Sequence, residues 1–222
     1  WQTNDESSAR HAFAQAAELK FNDERLAMTA AKTMVAIGGV PEARQALQIL
    51  EPFHDVLANS IPYLEMRLRI EDKLKRSSRL LQVARLLYER DPNSLKSMNN
   101  YAAALTTLRR EPELAVRLSL EAYQQAPNRQ IILLNHAKAL AQNGRFADAH
   151  AVLQRVIARG MDPRIAAQYY LVLFETQWKL GRRFEAEYAL RNLETKYLWD
   201  TQQTWLERSL AEFESEAAAT TA

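Results

Sequence analysis

Residues 130–163 read QIILLNHAKALAQNGRFADAHAVLQRVIARGMDP, and this stretch decides the fold. Apolar and small residues recur in it at intervals of three and four, first in one segment and then in a second. Such spacing predicts two amphipathic helices that each bury one face. Asn143-Gly144-Arg145-Phe146 separates the segments, with a glycine where a helix would end, and the stretch closes on Pro163. The sequence therefore predicts a hairpin of two helices joined by a tight turn.

The second half of this hairpin recurs along the chain. Six copies of one pattern, an anchoring residue that is small in all but one copy followed by apolar residues at helical spacing, occupy residues 8–23, 40–55, 77–92, 111–127, 145–163 and 182–197. Their anchoring residues are Ala9, Ala43, Leu80, Ala115, Ala149 and Ala186, and the steps between them are 34, 37, 35, 34 and 37 residues. A period of this length is typical of stacked helical hairpins, which usually present a surface for binding other molecules.

Helical periodicity covers nearly the whole chain, without the alternation that strands would show. We expect about twelve helices, near residues 5–20, 23–37, 41–55, 58–74, 77–90, 94–109, 112–125, 129–143, 146–159, 163–181, 183–196 and 200–217. All five glycines fall at predicted helix ends. The sequence therefore predicts an all-α protein.

Composition narrows the classes of function. The 222 residues are 47% hydrophobic and 25% charged, which is ordinary for a folded protein. A formal net charge of +2 gives no overall field that would attract nucleic acid or an anionic membrane. There is no cysteine, which excludes disulfides and cysteine-based metal sites and is compatible with an extracytoplasmic or membrane-associated bacterial protein, although the compartment stays open. We expect no membrane-inserted segment, because no apolar run reaches about 18 residues.

The pattern of residues 130–163 resembles the tetratricopeptide repeat (TPR). The resemblance is carried by Leu133, Ala137 and Leu140 in the first helix, by Ala149 in the second, and by the closing proline. Residues 96–129 match through Asn99, Ala102, Ala103, Ala115, Ala122 and Pro127, and residues 167–199 match through Phe174, Gly181, Ala186 and Leu190. Residues 61–92 depart from the pattern, because Leu68 and Leu80 stand where small residues are expected. Another array of helical hairpins, such as a half-TPR or Sel1-like solenoid, is the alternative.

The resemblance implies one right-handed α-solenoid of antiparallel helix pairs, a TPR-like superhelix, over residues 1–222. We expect a half repeat at 5–20, repeats at about 24–57, 61–92, 96–127, 130–163 and 167–197, and a capping helix at 200–217. The first copy is a second helix without its first. We therefore expect the chain to be part of a longer array.

Residues with catalytic or metal-binding chemistry are few. The four histidines, His11, His54, His136 and His150, lack metal-ligand spacing with one another or with carboxylates. There is no phosphate-binding glycine loop, nucleophile elbow or zinc-binding helix motif. The sequence predicts neither an enzyme nor a bound cofactor or metal.

The densest charged stretch, residues 67–79, carries six cations and two carboxylates. It could attract a phosphate backbone or an acidic peptide. No aromatic side chains for base stacking accompany it, which favours a solvated helical corner over an RNA site.

In TPR arrays the first helices line a concave groove, so the resemblance implies a partner site on their outward positions. The candidate residues are Lys32, Arg69, Lys73, Asn100, Thr107, Asn135, Lys138, Gln142, Glu175 and Trp178. Lys32, Arg69, Lys73 and Lys138 give the groove a slight preference for acidic segments. Trp178 is either an exposed binding residue or a packing residue beneath the capping helix.

The leading hypothesis is a non-catalytic scaffold that binds a peptide or a partner protein in this groove. The alternative is an assembly or oligomerisation segment of a larger, envelope-associated bacterial protein, which would self-associate through its open N-terminal face. An RNA-binding helical repeat is a third hypothesis and rests on residues 67–79 alone.

Overall fold

The computed structural model describes residues 21–221, with side chains to residue 216, together with positions 8, 11, 12, 14, 15 and 18. Every regular element of these described residues is helical. The α-helices are α1 Glu24–Ile37, α2 Val40–Leu50, α3 His54–Leu57, α4 Ile61–Lys73, α5 Ser77–Arg90, α6 Leu95–Thr107, α7 Pro112–Gln125, α8 Gln130–Gln142, α9 Phe146–Leu153, α10 Pro163–Lys179, α11 Arg183–Arg191 and α12 Asp200–Thr221. The all-α prediction is confirmed. The predicted half repeat at 5–20 lies, apart from the isolated positions, outside the described residues.

The helices group into two compact units, Trp1–Pro92 and Asn93–Ala222. In the first unit, α1 packs with α2 and α4 packs with α5. In the second unit, α6 packs with α7, α8 with α9 and α10 with α11. Each hairpin corresponds to one predicted repeat, although α6 begins one residue and α10 four residues before the predicted bounds. The interpretation of the chain as a single domain stays a prediction.

Three helices end earlier than the periodicity predicts. The segment predicted at 41–55 breaks after Leu50, where a 3₁₀ turn at Glu51–Phe53 contains Pro52. Proline has no backbone N–H, so it cannot continue the α-helical hydrogen-bond ladder. Helix α9 ends at Leu153 and α11 at Arg191, because their last predicted turns form loops or a 3₁₀ segment instead.

The small residues that mark the repeat are buried where helices cross. Ala43, Ala115, Ala149 and Ala186 are each 0% exposed. Helix axes 8–10 Å apart leave room for little more than a methyl group at the contact. Leu80 stands at the equivalent position of the departing repeat and is also buried, at 6% exposed. The repeat pattern is thus a packing pattern in both units.

Four hairpins share one turn geometry. Lys75, Arg109, Gly144 and Gly181 hold equivalent positions after a first helix, with φ of +50°, +50°, +76° and +71°. In each turn the next N–H donates to a carbonyl five residues back: Arg76 to Glu71 at 3.0 Å, and Arg110 to Leu105, Arg145 to Leu140 and Arg182 to Gln177 at 2.9 Å each. This is the Schellman arrangement that ends a helix with one left-handed residue.

The turn between α1 and α2 is built differently and leaves no room for a side chain. Gly38 N–H donates to the Met34 carbonyl at 2.9 Å, and the Gly38 carbonyl accepts from Lys73 Nζ at 2.7 Å. The buried Glu42 side chain accepts from Gly39 N–H at 2.6 Å. A Cβ added at Gly38 would lie 2.2 Å from Glu42 Cβ and 2.6 Å from the Met34 oxygen. Close packing therefore requires glycine at this position.

We expect Gly38→Ala to lower the free energy of unfolding by about 2–3 kcal/mol, because the added methyl group must displace α2 or break the Gly39–Glu42 bond. Gly39→Ala is the matched control, since an added Cβ there meets nothing closer than 3.6 Å and should cost about 1 kcal/mol or less. Denaturant unfolding followed by far-UV circular dichroism measures both. Equal losses for the two variants would contradict the packing argument.

Candidate functional site

The predicted groove residues of the first unit lie on its two first helices. Lys32 on α1 and Arg69 on α4 are exposed and stand 37 residues apart, at equivalent positions of successive repeats. Lys73 on α4 is half-buried, because its ammonium group donates to the Gly38 carbonyl at the end of α1. The structure thus leaves Lys32 and Arg69 accessible and uses Lys73 to hold the two helices together.

The Lys73–Gly38 bond fixes how α1 and α4 are aligned. It joins the C-terminal ends of two helices that pack against each other. Lys32 is six residues before Gly38 and Arg69 is four before Lys73, so each cation lies one to two turns before the end of its helix. We call the surface formed by Arg25, Lys32 and Arg69 the α1–α4 face; all three side chains are exposed.

The predicted groove residues of the second unit are mostly buried. Thr107, Asn135, Lys138, Glu175 and Trp178 are 9%, 5%, 5%, 6% and 6% exposed, and Asn100 and Gln142 are half-buried. Their polar atoms bond to neighbouring first helices: Asn135 Nδ2 donates to Asn99 Oδ1 at 2.9 Å, and Gln142 Nε2 to the Thr106 carbonyl at 2.7 Å. The inner surface of this unit is therefore occupied by its own side chains.

A chain of polar side chains links α8, α10 and α12. Lys138 Nζ donates to Gln168 Oε1 at 3.0 Å and lies 3.5 Å from Thr107 Oγ1. Gln168 and Gln202 bond reciprocally, at 2.9 Å and 2.7 Å. Gln202 Oε1 also accepts from Trp199 N–H at 3.1 Å, at the start of α12. Buried polar groups carry a large cost when unpaired, so this network fixes the spacing of the three helices.

Three further contacts connect the end of α6 to α10 and α12. The guanidinium group of Arg109 binds both carboxylate oxygens of Glu175, and its Cζ lies 4.0 Å from the ring centroid of Trp205. Thr201 Oγ1 donates to the Thr107 carbonyl at 3.3 Å. We call the set of Thr107, Arg109, Glu175, Thr201 and Trp205 the inner-face closure.

Trp178 packs beneath the last helix, as one of its two interpretations predicts. Its ring stacks on Phe174 with centroids 5.7 Å apart and meets Phe213 edge-on at 6.1 Å. Its Nε1–H donates to Glu216 Oε2 at 2.7 Å. The Lys179 ammonium group lies 3.4 Å from the ring centroid. In this arrangement Trp178 is a core residue between α10 and α12.

Several cations of the basic stretch at 67–79 are engaged within the first unit. Arg67 pairs with the fully buried Glu71 at 2.8 Å and donates to the Tyr63 hydroxyl at 3.1 Å. Arg76 also lies 4.0 Å from a Glu71 oxygen. These pairs, together with the role of Lys73, reduce the positive charge available to a phosphate backbone.

His136 is a buried titratable side chain of the second unit. Its Nδ1 lies 3.0 Å from Ser119 Oγ, and its ring stacks on Tyr123 with centroids 5.0 Å apart. Burial is the main cause that lowers the pKa of His136 to about 4; the Arg145 charge acts in the same direction and Asp148 opposes it. His136 is therefore neutral near pH 7. Among the described residues there is no group of three or more His, Asp or Glu side chains that could hold a metal ion.

Comparison with known proteins identifies the fold. A crystal structure of PilW, titled a widely conserved type IV pilus biogenesis factor, is 22% identical with a TM-score of 0.56, covering 92% of this chain and 93% of that one. A mutant of MamA is 17% identical with a TM-score of 0.51, covering 76% of this chain and 92% of that one. Both are TPR-repeat proteins. The chain has a TPR-like helical-repeat fold.

The resemblance seen in the sequence is thus confirmed at the level of fold. No family model and no curated protein matches the chain. No helix of the described part is long and apolar enough to cross a membrane.

The sequence did not predict the contacts that Arg109, Gln168, Gln202 and Trp205 make. A signal for Arg109 existed, since it stands at the turn position that Gly144 and Gly181 occupy in the next two TPR-like hairpins. A non-glycine residue at a left-handed position is uncommon and merits attention. No comparable signal marks the other three, because their pairing depends on how successive hairpins stack.

We expect the free energy of unfolding to fall as the pH drops from about 6.5 to about 4, because the unfolded chain then binds a proton at His136 that the folded chain does not. The stability is complete above the unfolded pKa and is lost through this window. His136→Gln, which can still bond to Ser119, should flatten this part of the pH profile. Denaturant unfolding at several pH values measures the slope, and an unchanged slope in the variant would rule out His136 as its source.

Proposed function

We propose that this chain is a non-catalytic, TPR-like scaffold that binds an acidic segment of a partner protein on the α1–α4 face. The observation that carries the proposal is the contrast between the two units. Lys32 and Arg69 are exposed, whereas the predicted groove residues of the second unit are buried or half-buried, and all of them except Asn100 bond to other elements of the unit. An incoming segment therefore meets accessible groove cations on the first unit.

The chemistry of the face favours carboxylates. Lys32 and Arg69 have no ion pair or side-chain hydrogen bond within the described part of the chain, so both can engage a ligand without losing an existing bond. Arg25 adds a third exposed cation on α1. Charge-assisted hydrogen bonds to carboxylates are stronger than neutral ones, and an arginine can bind a carboxylate through two N–H groups. Preformed helices also bind with little ordering cost.

The proposal of a non-catalytic role is supported by where the titratable groups lie. His136 is buried against Ser119 and Tyr123, and Glu71 is buried against Arg67. A general acid or base must come within hydrogen-bond reach of a substrate, which these positions do not allow. Helical-repeat folds commonly serve as binding surfaces.

The test is charge reversal on the α1–α4 face. We expect the double variant Lys32→Glu and Arg69→Glu to weaken binding of a fluorescent Glu-rich peptide by about tenfold or more at low salt, because two favourable ion pairs become repulsive. The fold should persist, since both side chains are exposed. Fluorescence anisotropy measures the peptide, and quantitative capture from a lysate of the source organism measures natural partners.

Arg44→Glu is the matched control. Arg44 is exposed on α2, the second helix of the same hairpin, so the variant changes charge in the same unit away from the proposed face. We expect it to bind the peptide and the captured proteins nearly as the native chain does. Equal effects of the α2 and α1–α4 variants, or none from either, would exclude this face as the binding site.

A further inference from the structure

Arg109 connects three parts of the second unit at one point. It lies in the turn after α6, and its guanidinium group donates to both oxygens of Glu175 on α10, with Nη1 3.2 Å from Oε2. The same group lies over the ring of Trp205 on α12 at 4.0 Å. Paired N–H bonds to a carboxylate and stacking on an aromatic face are the two contacts to which arginine is best suited.

These contacts reach across the repeats. Glu175 is 66 residues after Arg109, so the ion pair passes over α8 and α9 to the hairpin beyond. Thr201 is 94 residues after Thr107, whose carbonyl accepts its hydroxyl. The inner-face closure therefore connects the α6–α7 hairpin directly to α10 and α12. These contacts add to the packing between neighbouring hairpins.

The inner-face closure is made of polar contacts, whereas α10 and α12, the helices that it reaches, pack through an apolar core. Helices α10, α11 and α12 share an apolar core that includes Phe174, Ala186, Leu206 and Phe213. The contacts from the end of α6 to this group are instead a salt bridge, a cation–π contact and a hydrogen bond. Polar contacts can be exchanged for water or for a ligand at much lower cost than an apolar core. The contacts of the closure can therefore be lost while the α10–α12 core stays intact.

The backbone of Arg109 also sets this turn apart. Its φ is +50°, a conformation in which the Cβ of an L residue is strained. The next two hairpins have glycine at this position. Arginine provides the side chain that reaches Glu175 and Trp205, whereas glycine would relieve the backbone strain.

We propose that Arg109 is a latch that holds the inner face of the second unit closed, and that loss of its contacts opens this face. Opening would expose the buried Lys138 and Glu175 together, a cation and an anion on adjacent first helices. This device concerns the second unit alone and is independent of the α1–α4 face.

Single-cysteine reporters test the latch, because the native chain has no cysteine. Thr107→Cys reports on the closure, and the nearly isosteric Ser119→Cys reports on a buried position between α7 and α8 away from it. Each reporter is placed in the native, Arg109→Gly, Glu175→Gln and Glu111→Gly backgrounds. Glu111 lies in the same turn with φ of +43°, so its glycine variant relieves strain without touching the latch.

We expect Arg109→Gly to raise the thiol-labelling rate at position 107 by about tenfold or more, through more frequent local opening, and to leave the rate at position 119 nearly unchanged. Glu175→Gln should act in the same direction, and it decides the question if Arg109→Gly does not fold. Glu111→Gly should change neither rate. An unchanged rate at 107, or a parallel rise at both reporters, would overturn the latch, since the latter indicates general destabilisation.

Discussion

Close crossing of paired helices is the constraint on which this structure depends. A hairpin of two short helices cannot bury enough apolar surface alone, so each must pack against the next. That packing requires small side chains at the crossings, and Ala43, Ala115, Ala149 and Ala186 meet the requirement with no exposed surface. Helix spacing, turn geometry and the direction of each first helix follow from it.

The turns that join the paired helices are built in two ways. Gly144 and Gly181 adopt positive φ without strain, whereas Lys75 and Arg109 adopt it as L residues with side chains. The Gly38–Gly39 turn instead uses extended glycines and closes through Glu42 and Lys73. Repeats of one architecture thus differ where the chain reverses, and these differences place charged side chains at the ends of the first helices.

The sequence predicts the fold well because the fold depends on a periodic pattern of residues that are close together in the chain. The spacing of Ala115, Ala149 and Ala186 predicts hairpins, and the structure places them in α7, α9 and α11. The burial of the groove could not be predicted in the same way. Whether Lys138 faces solvent depends on how the neighbouring first helices pack against it, as Thr107 and Gln168 do here, and a TPR resemblance does not specify those contacts. Lys32 and Lys138 therefore look equivalent in sequence, yet the first is exposed and the second is buried.

The same polar residues can serve as a binding surface or as an interior, and the packing of neighbouring hairpins decides which. In the second unit, donors and acceptors that could meet a ligand bond to one another, as Gln168 does with Gln202. Such a polar interior differs from an apolar one, because opening it replaces internal hydrogen bonds with bonds to water or ligand at small net cost. An apolar inner face would have closed the unit permanently. The charges at Arg109, Lys138 and Glu175 are thus the physical basis of the latch that we propose.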